Sequence, residues 1–462
     1  MENKIRDAIN IAMSKGATYA DIRCSDKEIT NLTQKNGKVE DITTGSSFSA
    51  GFRVLYKGSW GFASIDDASG LAGIAETAFR IAKSMQDSNN SKDVVLAETK
   101  TVEKDIDVKY RTDLKNMSID DKISFAKAGY KGATEVSDKI KSISLMYSDS
   151  CARNVFASSE GTYITSNPQY FKYYVFSTAR QGDRREESYD RYASFSGIDE
   201  LIRRDPAKIG ASASKEAVKL LGASLPPSGK MPVILHPSIG GLFVHEAVGH
   251  ASEADHAMKE SIFNSKLGEK IGSENLNIVD NPALAGKHGS YMYDDEGVGG
   301  KKTVIFRKGV LESYLHSRET AGFMGVEPTG NGRAQSPSFL PIVRMSNTYF
   351  DKGDMETDEL FEGVKNGVYM KGFKGGEVNP VDGTFTFGVE QGYIIKDGKK
   401  TKLVKDCAMS GLILDVLKKI DAVAKDLWVD GIGFCGKEGQ AVPVSDGGPH
   451  FRVSELLVGG QQ

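Results

Sequence analysis

Leu242-Phe243-Val244-His245-Glu246-Ala247-Val248-Gly249-His250 is the stretch on which the reading of this chain turns. It holds an H-E-x-x-x-H pattern, two imidazoles and a carboxylate behind an apolar run. Neutral imidazole is a good zinc ligand, and a glutamate beside it can take a proton from an attacking water. The more familiar zinc-peptidase spacing puts the histidines four apart. On an ideal helix, residues four apart lie about 40° from each other and residues five apart about 140°. His245 and His250 are five apart, so they can share an ion only across a widened turn. Gly249 is expected to absorb the distortion, since glycine tolerates unusual backbone. The bland alternative is two ordinary helix histidines beside a solvated glutamate. Only 7 histidines occur in 462 residues, which favours the metal reading of a pair beside one glutamate.

Outward from this motif, Pro237 can open a helix over 238–253 at its first turn. Met231 to Leu235 reads as a buried strand, and Leu225-Pro226-Pro227-Ser228-Gly229 as a linker. The linker divides the chain into an N-terminal α+β domain, 1–225, and a β-rich C-terminal domain, 226–462, that carries the motif helix. In the first half, residues 4–15 predict a helix with Ile5, Ala8, Ile9 and Ala12 inward. Asn36-Gly37 and Lys57-Gly58 are hairpin signals. A second helix is expected over 68–85, a third from Ser118 with Asp121 at capping-box spacing, and another over 207–221. Residues 140–196 read as strands, with Arg184-Arg185-Glu186-Glu187 as a solvated run. The second half predicts strands at 303–306, 310–316, 339–345, 384–389 and 393–395, a hairpin at Asp397-Gly398, and an amphipathic helix over 411–424.

A net charge of −3 offers no basic excess for phosphates, so direct nucleic-acid binding is not expected. The N-terminal segment is amphipathic without an apolar signal core, and no run approaches the ~18 apolar residues of a membrane span. Cys24, Cys151, Cys407 and Cys435 are widely separated and form no disulfide framework. A cytoplasmic location is expected.

Cys435, between Phe434 and Gly436 in what reads as a Gly-rich turn, could complete a His, His, Cys site with one open position. It could equally be a buried structural thiol. Glu253, three residues after His250, could fix an imidazole tautomer or replace Cys435 as a ligand. Asp255 and His256 read as surface residues, and His236, His288, His316 and His450 as hydrogen-bonded or surface histidines. Val298-Gly299-Gly300-Lys301-Lys302 lacks the full phosphate-loop pattern and reads as a turn.

The H-E-x-x-x-H of His245–His250, Gly433-Phe434-Cys435-Gly436-Lys437-Glu438-Gly439-Gln440, and the block from Gly383 to Tyr393 followed by Lys396-Asp397-Gly398-Lys399 together resemble the TldD/PmbA metallopeptidases, in their metal-bearing, TldD-type branch. The resemblance spans nearly the whole chain. It implies a zinc (Zn2+) peptidase in which His245, His250 and Cys435 are the ligands and Glu246 is the general acid/base. It implies peptide or unfolded-polypeptide substrates, and a dimer of the chain with itself or with a TldE/PmbA-type chain. The rival class is a non-catalytic peptide-binding or dimer-partner protein with a structural metal or none; Glu246 beside a candidate ligand argues for catalysis.

Overall fold

The computed structural model describes residues 1–87 and 94–460. The fold is α+β. The long strands Tyr19–Lys35 and Lys38–Tyr56 are joined at Asn36-Gly37, both at positive φ (47° and 81°). A two-residue hairpin turn of that kind matches the twist of its strands. Lys57-Gly58 repeats the device before Ser59–Ile65. Tyr19–Lys35 also pairs with Ile140–Ser158, which continues through Gln169–Gln181 to Arg184–Ser194, all antiparallel. These strands belong to one eight-stranded sheet.

Helices cover one face of it. Glu2–Ser14 and Leu71–Asp87 bury Ile5, Ala8, Ile9, Ala12, Leu71, Ile74 and Ala78 against Ile22, Phe52 and Val54. Ile119–Thr134 and Pro206–Leu220 cover Leu145, Phe171, Tyr173 and Val175. Ser118 and Asp121 form the expected capping box, which satisfies donors the first helical turn leaves open. Along Gln169–Gln181, the inward Phe171, Tyr173 and Val175 alternate with Lys172, Tyr174 and Phe176 on the opposite face.

In the second half, Gly229–Leu235 lies between Asn366–Lys371, parallel, and Phe451–Gly460, antiparallel, within a seven-stranded sheet. A six-stranded sheet runs from Val310–Leu311 through Thr303–Arg307, Ile278–Asp280, Asn347–Phe350 and Gln440–Gly448 to Trp428–Lys437, its last strand. A single apolar core joins residues of both sheets with Phe243, Val244, Ala247 and Val248 of the motif helix. Buried Arg53 ties the halves together, pairing with Asp21 at 2.5 Å and with Glu296 at 3.0 Å.

Four sequence expectations change. The helix expected over 411–424 is only Ile413–Lys418, between the strands Lys399–Leu412 and Ile420–Val423. Ile420–Val423 pairs with Phe451–Gly460, and this ladder outweighs the helical periodicity of its residues. The strands at 310–316 and 339–345 shrink to Val310–Leu311 and Ile342–Val343. The Leu315 N–H instead donates to Ser252 O just past the motif. Residues 384–396 form one strand, not two. Within Arg184–Glu187, Glu186 pairs with Lys405 of the C-terminal half and is not simply solvated. Among the described residues, no helix is long and apolar enough to cross a membrane.

Candidate metal centre

The motif helix begins at Pro237, capped by His236, whose ring Nδ1 accepts the Ser238 N–H at 3.1 Å. Gly240 and Gly241 let it lie against the sheets. A Cβ on Gly240 would come within 2.6 Å of the Phe451 ring, and one on Gly241 within 2.4 Å of Gly447 N. The helix is regular through Phe243, widens to a π-turn over Val244–Gly249, and tightens to a 3₁₀ turn over His250–Ser252. The widened turn expected from the histidine spacing is therefore present. It brings the His245 and His250 ring centroids to 5.3 Å, at nearly right angles. Gly249 lies in this wide turn without the unusual backbone expected of it. Its φ and ψ are −58° and −57°, which any residue adopts. A Cβ there would lie 1.9 Å from Met345 Sδ, so any larger residue would have to displace that buried side chain.

Cys435 sits on the strand Trp428–Lys437, opposite Val442, rather than in a turn. The turn lies beyond it, at Glu438 and Gly439, both at positive φ. Cys435 Sγ is 3.4 Å from His250 Nε2. One donor atom each from His245, His250 and Cys435 lie within 4.8 Å of one another. His245 and Cys435 are each 3% exposed. Burial would raise the Cys435 thiol, but hydrogen bonds and charge from His245 and His250 outweigh it and hold the thiol down at about 5. The thiolate is thus the form present at neutral pH. The Glu246 side chain is more open, and its Oε2 lies 3.8 Å from His250 Nε2.

Behind His250 lies a buried charge network. His250 Nδ1 contacts Glu253 Oε2 at 3.0 Å. With Nδ1 held by Glu253, it is Nε2 that faces Cys435, and its lone pair becomes available to an ion that displaces the proton shared with the thiolate. Glu253 in turn accepts from Lys437 Nζ at 3.2 Å, which also reaches Asp255 at 2.7 Å and Val343 O at 3.0 Å. Burial would raise the Glu253 carboxyl, but Lys437 and His250 draw it down to about 2. Asp255 is therefore an ion-pair partner and not a free surface group. Glu253 faces the far nitrogen of His250 from Cys435. Arg344, fully buried, donates to the Cys435 carbonyl.

Lys437, Arg344 and Asp446 escaped the sequence reading. Lys437 was findable: on a strand, a residue two after Cys435 shares its face. Asp446 is 7% exposed, and burial pushes its carboxyl up to about 6 against the pull of His245 and Arg191. The other histidines stand apart from the pair. His288 bonds Tyr170 and Val444 O, His316 contacts Thr320, and His450 bridges Asp426 and Tyr369.

The donor set fits zinc. It combines a thiolate with two imidazoles, the mixture that borderline-soft divalent ions prefer. His245 Nδ1 is buried without a hydrogen-bond partner among the described residues, and such an atom is costly unless something binds it.

Residues 228–460 match the PmbA/TldA metallopeptidase C-terminal domain, 20–82 its domain 1, and 112–221 its central domain. The chain is 41% identical to Metalloprotease MJ0996 of Methanocaldococcus jannaschii, over 94% of this chain and 96% of that protein. It is 32% identical to the Zinc metalloprotease TldD homolog of Saccharolobus solfataricus, over 98% and 99% of the two chains. The crystal structure of TldE from Thermococcus kodakarensis shares the fold, with a TM-score of 0.78 at 20% identity and full coverage of both chains. With its motif, its three matched domains and these relatives, the chain belongs to the PmbA/TldD metallopeptidase family.

Proposed function

We propose that this metallopeptidase is zinc-dependent, with His245, His250 and Cys435 as the ligands and Glu246 as the general acid/base. The observation that carries the reading is the convergence of the two imidazoles and the thiolate across the π-turn. Zinc held there supplies a Lewis acid for peptide-bond hydrolysis. The Glu246 carboxylate takes a proton from the attacking water as the new carbon–oxygen bond forms. It then delivers that proton to the amine nitrogen as the carbon–nitrogen bond breaks. Glu253, braced by Lys437, holds the His250 ring by Nδ1.

Unfolded polypeptides suit the site. Trp428–Lys437, which carries Cys435, ends its sheet, so an extended peptide has a strand edge beside the centre to pair with. The same reading carries a cytoplasmic dimer, formed with itself or with a TldE-type chain, and a division of the chain near residue 225.

Chelation tests the metal. Dialysis against a chelator is expected to abolish cleavage of an unstructured peptide, and one equivalent of zinc to restore it. Cleavage that continues in zinc-free protein overturns the proposal. Glu253→Gln tests the brace. It keeps an acceptor for Nδ1–H but removes the charge, and is expected to weaken zinc binding about 10- to 100-fold. Competition with a chromophoric chelator measures this; native affinity in the variant would show that Glu253 only fills space.

A further inference from the structure

The face of the eight-stranded sheet that the helices leave uncovered carries a cluster of large side chains in register. Tyr174 lies between Met146 on one neighbouring strand and Arg191 on the other. Phe176 lies between Ser144 and Tyr189. The Tyr174 and Phe176 rings stack at 6.1 Å, and Phe176 meets Tyr189 at 5.8 Å. The Arg191 guanidinium stands 6.0 Å from the Tyr174 ring centre and 5.4 Å from that of Tyr189. Met146 is 45% and Phe176 39% exposed. Two large apolar side chains left open beside half-buried aromatic rings offer a surface to a ligand.

One contact joins this face to the strand that carries Cys435. Lys172, next along the same strand face, stands 5.7 Å over the ring of Phe434, which precedes Cys435 on its strand and points to the opposite face of that strand. The platform thus leads toward the strand whose edge lies beside the centre. Its chemistry is π faces with a cation laid across them, which holds aromatic and bulky apolar side chains and is indifferent to small polar ones.

We propose that Tyr174, Phe176, Tyr189 and Arg191 form a platform that receives aromatic or bulky apolar side chains of the peptide substrate. The proposal rests on the peptidase reading above. It gives the enzyme a preference that an edge pairing made of main-chain bonds cannot supply.

The test uses the full chain loaded with zinc and two series of unstructured peptides. In one series a single phenylalanine is walked outward from the cleaved bond; in the other, serine takes its place. At one distance the native enzyme is expected to favour the phenylalanine peptide in kcat/KM. Phe176→Ser, at an exposed position, is expected to reduce that preference a few-fold, up to about tenfold. Equal kcat/KM for the two series at every distance overturns the platform and leaves the peptidase reading standing. So does a preference unchanged in the variant. A variant that alters the sedimentation of the protein while keeping its peptide preference shows that the face meets another subunit, and also overturns the proposal. If native enzyme cleaves neither series, the peptidase reading itself fails. Fluorescence anisotropy with the same peptides then decides the platform: binding selective for phenylalanine and lost in Phe176→Ser supports it, and equal binding overturns it.

Discussion

Glu246→Gln is expected to lower peptide hydrolysis by about 10²- to 10⁴-fold, the usual contribution of a positioned general acid/base, with zinc content unchanged. The amide matches the carboxylate in size, but it cannot take up a proton at neutral pH. The fold should be indifferent to the exchange. The Glu246 side chain is 30% exposed, and its nearest charged neighbour is His250 at 3.8 Å, so no buried partner is orphaned. The proposed ligands are also left intact, because no hydrogen bond joins His245, His250 or Cys435 to Glu246. Measuring kcat/KM beside metal content separates the two properties. Native-rate hydrolysis by the variant would remove Glu246 from the proton transfers.

Cys435→Ser should show the opposite division, with zinc lost first and activity as a consequence. The thiol is held at about 5 by the two imidazoles, so at neutral pH it is already the anion a metal requires. Serine has nearly the same shape but stays protonated, and leaves two imidazoles to hold the ion. Loss of an outer partner alone costs about 10- to 100-fold in affinity, so loss of a direct ligand should exceed about 100-fold. Zinc stoichiometry and chelator competition measure this. Unchanged affinity would exclude Cys435. Glu253 could not simply take its place, because it faces the other nitrogen of His250 and is engaged by Lys437.

The parts of this structure that were legible in the sequence are those set by local pattern. The first helix, the Asn36-Gly37 and Lys57-Gly58 hairpins and the Ser118 cap follow from periodicity and turn chemistry. The widened turn follows from the spacing once both histidines are taken as ligands, since residues five apart diverge on a regular helix. What escaped was set by partners far along the chain. Cys435 looked like part of a turn because glycines surround it, and only pairing with Gln440–Gly448 makes it a strand. With its strand unread, the position of Lys437 on the same face was unread too. Gly249 was assigned to backbone freedom when it answers to Met345, a residue nearly a hundred positions away. Ile420–Val423 has helical spacing, but a strand from the C-terminus claims it.

The π-turn makes chain length as much a part of the centre as residue identity. Deleting one residue from 246–249 would give the histidines the regular spacing of four, and would look like a repair. It would also turn everything after the deletion by about 100° about the helix axis. Ser252 would lose the Leu315 N–H, and Glu253 would swing away from Lys437. The contacts of Ser252 and Glu253 are built on the wide turn, so a deletion would break them rather than repair the helix.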